Sequence, residues 1–104
     1  MTASEKIMQE AISFYGKDAQ IDKAIEEMSE LTKALLKNRH KTKDYEEAIY
    51  RDAIAEEIGD VMIMIQQLRM IFDCDGKILD YQDEKLRRLD KRMKAEAAKA
   101  AGAV

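Results

Sequence analysis

At 104 residues, with 18 Lys and Arg against 21 Asp and Glu and a net charge of −3, the chain has room for one small domain and lacks the basic character that a nucleic-acid polymer would select. Its longest apolar run, Val61 to Ile65, is far short of the roughly 20 residues that span a bilayer, and a single cysteine, Cys74, cannot close an internal disulfide. The N-terminus has neither a basic stretch nor a continuous apolar segment, so the expectation is a soluble, cytoplasmic protein.

There is no proline and there are only four glycines, while Glu, Lys, Ala, Met and Ile dominate, a composition that favours helices over strands throughout. The first helix is expected from about Ser4, as N-cap, to Tyr15, with Gly16 as its stop. A second follows Asp18-Ala19-Gln20 and reaches about Asn38, with Lys37 and Arg39 suited to the negative end of its dipole. His40 to Lys43 reads as a polar connector. The third helix starts near Asp44, a further N-cap, and runs to Phe72; Asp73-Cys74-Asp75-Gly76 then breaks the chain. The fourth begins near Lys77 and frays through Ala95 to Val104, where little apolar surface remains to anchor it. The fold class is therefore all-α: one domain over residues 1–104, a four-helix bundle of helical hairpins with residues 95–104 as a tail. From Val61 to Ile65 the third helix is apolar on every side, more than three other helices can cover, so homo-oligomerisation is expected to complete the core.

Two acidic motifs carry the chemistry, Glu26-Glu27-Met28-Ser29-Glu30 and Glu56-Glu57-Ile58-Gly59-Asp60. On helices, Glu27/Glu30 and Glu57/Asp60 each set two carboxylates on one side, one turn apart. Two such helices face to face would form a four-carboxylate cage. Carboxylate oxygens suit hard divalent cations, and magnesium commonly takes further ligands from a substrate phosphate. At about 100° per residue, Glu57 falls inside the apolar arc drawn by Ile54, Ile58, Val61, Met64 and Leu68, with Asp60 at its edge. An ionised carboxylate there needs a cation, a hydrogen-bond partner or a proton. On the second helix Ile21, Ala24, Ile25, Met28, Leu31, Thr32 and Leu35 make the core stripe, Glu27 borders it and Glu30 lies further round. Glu47 and Glu56 read as solvated surface acids.

A phosphate-bearing ligand also needs cations. Lys33 and Lys37 follow Glu30 along one side of the second helix, and Lys85, Arg88 and Arg92 repeat at helical spacing on the fourth; either set suits phosphate oxygens. His40, the only histidine, lies in a connector and is given no role. Cys74 has no second soft ligand and makes no zinc site. The seven methionines read as core or interface filler.

The order Glu-Glu-x-x-Glu, a spacer, then Glu-x-x-Asp resembles the MazG-like members of the all-α nucleoside triphosphate pyrophosphatase superfamily. The surrounding text is similar too: Phe14-Tyr15-Gly16, Gln20, Ala24 to Leu31, Lys37 and Arg39, Ala55 to Val61, then Gln66-Gln67-Leu68, so that the resemblance covers roughly residues 10 to 92. It implies magnesium-dependent hydrolysis of a nucleoside triphosphate to the monophosphate and pyrophosphate, with manganese as a substitute ion, by a homodimer or dimer of dimers. It assigns metal coordination to Glu27, Glu30, Glu57 and Asp60, and gives Glu26 a part in positioning or deprotonating the attacking water. Gln20, within the matching text, joins the spaced cations Lys33, Lys37, Lys85, Arg88 and Arg92 as the candidate substrate contacts. Many members carry Lys-x-x-x-Asn-x-x-Arg on the last helix; Lys85 and Arg92 match, while Leu89 stands where the family has Asn.

Two other readings are open. A helical oligomerisation or nucleotide-binding module would use the same apolar faces without catalysis, but has little reason to set Glu57 in its apolar arc. A carboxylate-bridged di-iron bundle needs Glu-x-x-His pairs, which one histidine in a connector cannot supply.

Overall fold

The computed structural model describes residues 1–41 and 46–102. Among them it is all-helical, with four helices and no strand: α1 (Ala3–Tyr15), α2 (Lys17–Arg39), α3 (Glu47–Phe72) and α4 (Asp75–Ala100). The chain divides into two compact units, the first ending at Asp73 and holding α1, α2 and α3, the second beginning at Cys74 and consisting of α4.

The helix ends follow local chemistry. The N-cap of α1 is Thr2 rather than Ser4; its Oγ1 accepts from the Glu5 N–H at 3.1 Å, because the β-region backbone of Thr2 aims the hydroxyl at the first free amides. Gly16 alone separates α1 from α2. Its φ of 95° is open to glycine at little cost, its N–H closes α1 on Ile12 O at 2.9 Å, and its carbonyl accepts from Gln20 N at 3.1 Å to open α2. Asp18-Ala19-Gln20 therefore lie inside α2, not before it. The N-cap expected at Asp44 lies outside the described residues. The α3 helix ends on Asp73 in the left-handed region (φ 47°), which a short polar side chain tolerates better than most. Asp75 and Gly76, read from the sequence as part of a break, form the first turn of α4, with Ile78 N–H donating to Cys74 O at 3.0 Å. At its other end α4 stays helical past Ala95 to Ala100.

Within the first unit α2 packs along α3, and α1 packs on both. The core comprises Met8 of α1, Ala24 of α2, and Val61 and Met64 of α3. Two buried glutamines join them: Gln20 Nε2 donates to Gln67 Oε1 at 2.7 Å, and Gln67 Nε2 reaches Met64 Sδ at 3.8 Å. A buried amide needs such a partner, so the pair fixes α2 against α3 at this level. The α2–α3 hairpin is antiparallel: Gln20 meets Gln67, Glu27 meets Glu57 and Asp60, and Lys37 shares a cleft with Tyr50.

The expected apolar arc of α3 is only partly buried. Val61 and Met64 are buried and Ile54 and Leu68 are half-buried, but Ile58 is exposed, as are Met62, Ile63 and Ile65 on the remaining sides. On α2 the expected stripe is likewise buried at Ala24 and exposed at Ile25, Met28 and Leu35. The reason is geometric: one neighbouring helix and the short α1 cover a narrow arc, while the apolar residues extend beyond it. On α4, Leu79, Leu86, Leu89 and Met93 are exposed. No helix is long and apolar enough to cross a membrane among the described residues.

Candidate metal centre

Helical spacing brings Glu57 and Asp60 to one side of α3, one turn apart, and the antiparallel register sets Glu27 of α2 opposite them. The three offer carboxylate oxygens that all lie within 4.8 Å of one another, each side chain half-buried. Glu57 is the most constrained. Its Oε2 is inaccessible to solvent and has no hydrogen-bond partner. Burial pushes the Glu57 carboxyl above its ordinary 4.5, and Asp60, Glu27, Glu30 and Glu56 add to the effect by repulsion.

Glu27 is only 13% exposed, and its Oε1 lies 3.1 Å from Lys23 Nζ, one turn earlier on α2. The same ammonium lies 3.7 Å from Glu26 Oε2, and the two carboxylates hold the Lys23 pKa above its ordinary value, the hydrogen bond to Glu27 contributing most. Glu26 itself is exposed and stands outside the cluster. Glu30, expected as a fourth ligand, also lies outside it: its Oε1 accepts from Lys33 Nζ at 3.4 Å. The arrangement is thus a carboxylate triad with Glu30 alongside, not a four-carboxylate cage.

Beside the triad the α2–α3 groove opens into a cleft of about 320 Å³. Glu30, Lys33, Ala34 and Lys37 line it from α2, and Ile49, Tyr50, Ala53 and Glu57 from α3. From Glu30 to Lys37 the helix rises about 10 Å, so the cleft leads from carboxylates, past a first lysine, to a second lysine and an aromatic ring. A larger hollow of about 590 Å³ lies along α1, lined by Met1, Lys6, Gln9, Glu10, Ser13 and Phe14. One helix lines it, so it is an open surface rather than an enclosure.

The other candidates are distributed as follows. Lys33 and Lys37 line the cleft; Gln20 is buried, with its amide on Gln67. Lys85, Arg88 and Arg92 are exposed on α4, in the second unit. His40 is exposed as the C-cap of α2 and Cys74 is half-buried at the start of the second unit. Sequence reasoning missed Lys23 and Tyr50. The Lys23/Glu27 spacing was a readable signal; Tyr50 had none, because its place depends on the register of two helices.

Chemically, three oxygen donors of half-buried carboxylates, one with an orphaned buried oxygen, fit a hard divalent cation. They offer no nitrogen or sulfur ligand to favour a softer one. Comparison with protein-family models, with curated proteins and with solved structures finds no match to this chain.

Proposed function

We propose that this protein is a magnesium-dependent nucleoside triphosphate pyrophosphohydrolase of the MazG-like kind, releasing pyrophosphate and leaving the monophosphate, with manganese able to replace magnesium. The observation that carries the reading is that Glu57, one of the triad with Glu27 and Asp60, also has a buried Oε2 without a hydrogen-bond partner. An ionised carboxylate so repelled and desolvated costs a small domain stability unless a proton or a cation compensates it, and a cation does so without discharging the acid. This is also what favours an enzyme over a helical interaction module, which needs no such group.

In this reading Glu27, Glu57 and Asp60 hold the ion, while Glu30, paired with Lys33, lines the cleft beside them. A bound magnesium supplies charge neutralisation at the phosphates and a more acidic water. The chain's own part is positioning. The half-buried carboxylates hold their geometry, and Lys33 and Lys37 lie along the cleft where negative oxygens would run. Tyr50 offers a ring at the far end, against which a base can stack. Lys85, Arg88 and Arg92 are the further cations proposed for phosphate. Glu26 faces solvent, so a part for it in activating water rests on the resemblance alone.

Self-association belongs to the same proposal. Exposed Met62, Ile63 and Ile65 on α3 enlarge the apolar surface of a unit whose buried apolar core, among the described residues, is four side chains. A second copy covering part of that surface would extend the core, most simply across a two-fold axis.

A panel of canonical and modified nucleoside triphosphates with magnesium tests the activity. Pyrophosphate as the first product supports it. Orthophosphate as the first product, or no turnover of any member, overturns it.

A further inference from the structure

Lys23 occupies a distinctive place beside the triad. Among the described residues, the only ion pair made by Glu27, Glu57 or Asp60 is the one from Lys23 Nζ to Glu27 Oε1, at 3.1 Å. Its second contact, at 3.7 Å to Glu26 Oε2, holds the ammonium between a half-buried acid and an exposed one. Lys23 is itself half exposed, on a flexible stem rooted one turn before Glu27. One positive charge therefore already sits on a carboxylate that the cation reading needs as a ligand.

We propose that Lys23 is the tethered counter-ion of the carboxylate triad: it competes with the divalent cation for Glu27 and thereby sets the affinity of the centre. The inference rests on the metal reading of the triad and adds a residue to it. Two cations on one carboxylate repel each other, the more so when one is divalent. Lys23 is half exposed, so solvent screens its side of the pair and the ammonium can swing away; it therefore yields to the ion and lowers its affinity instead of excluding it. Glu26 provides the place to which the ammonium moves, since its carboxylate is solvent-facing and already within reach. The centre then needs more metal to fill than its carboxylates alone would require, and its loss of ion leaves a partly neutralised site instead of three bare acids.

The test is manganese binding to the full chain, without nucleotide, measured by calorimetry and by electron paramagnetic resonance of the free ion. Lys23→Met keeps the apolar stem and removes the charge; Lys23→Gln repeats the change with a polar end, and Lys23→Arg restores it. The expected result is roughly three- to tenfold tighter binding by Lys23→Met and Lys23→Gln than by the native chain, with Lys23→Arg at the native value. The gap should narrow as salt is raised from about 0.1 M towards 1 M. Equal or weaker binding by both uncharged variants, with the native chain binding manganese, overturns this inference and leaves the metal reading standing. Absence of binding by every protein overturns both.

Discussion

Gln20 Nε2 donates to Gln67 Oε1 at 2.7 Å in the interior of the α2–α3 hairpin, and each glutamine stands about two turns from a carboxylate of the triad, Glu27 on one helix and Asp60 on the other. A slip of one helix against the other would break this buried bond and move the acids out of register together. The clasp therefore fixes the register in which Glu27 faces Glu57 and Asp60.

A double-mutant cycle reads that role. Gln67→Leu alone leaves the Gln20 amide buried without its partner and should destabilise the metal-free chain by about 1–3 kcal/mol. Gln20→Leu/Gln67→Leu together should recover much of that loss while weakening manganese binding, because the fold keeps its apolar contacts but loses its fixed register. Denaturant unfolding and calorimetry check the two halves separately.

The raised Glu57 pKa gives a signed pH dependence. Its folded value lies above the ordinary 4.5, owing first to burial and then to Asp60, Glu27, Glu30 and Glu56. The folded state thus holds the proton more tightly than the unfolded state. Glu57 imposes no penalty below about 4.5, an increasing one as pH rises through the folded value, and a constant one above it. Relative to Glu57→Gln, the native metal-free chain should lose stability across that window. Saturating magnesium should remove the loss. Thermal unfolding of both proteins against pH, with and without magnesium, is the check.

Turnover should depend on the triad and not on solvated acids. Loss of residues that merely orient metal ligands typically costs 10–100-fold in affinity or activity, so Asp60→Ala, which removes a ligand outright, should lower activity at least about 100-fold with the helical content unchanged. Glu47→Ala, exposed in the first turn of α3, should leave it near native. Steady-state pyrophosphate release, with circular dichroism as the control, separates the two.

The helices themselves were legible, because composition and the 3.6-residue period act locally. So was Glu57, since its angular position relative to Val61 and Met64 follows from spacing alone, and its buried Oε2 agrees with that reading. What the sequence did not disclose depends on more than one element. Glu30 has the spacing of a ligand, yet its carboxylate turns to Lys33 on the same helix. From sequence Gln20 is expected on the substrate side and Gln67 has no assigned role; the hairpin register instead joins them in the interior. Gly16 reads as a stop, but the same residue also opens α2, so the connector expected after α1 is absent.

Exposure of Met62, Ile63 and Ile65 leads to an expectation about assembly. Sedimentation equilibrium at micromolar concentration should show a dimer or larger species. Ile63→Lys, which sets a charge among these exposed apolar residues without altering a triad acid, should shift the chain to monomer. A native chain that is monomeric and fully active would remove self-association from the account.

The central claim is that Glu57, with its buried unpartnered oxygen, is a ligand of a divalent cation. Manganese titration of the native chain and of Glu57→Ala by calorimetry tests it most directly, with the melting temperature followed alongside. The account predicts that the native chain binds the ion and melts higher when saturated, and that Glu57→Ala, folded to the same helical content, binds at least about 100-fold more weakly and gains no stability from it. Equal manganese affinity in the two proteins would contradict it.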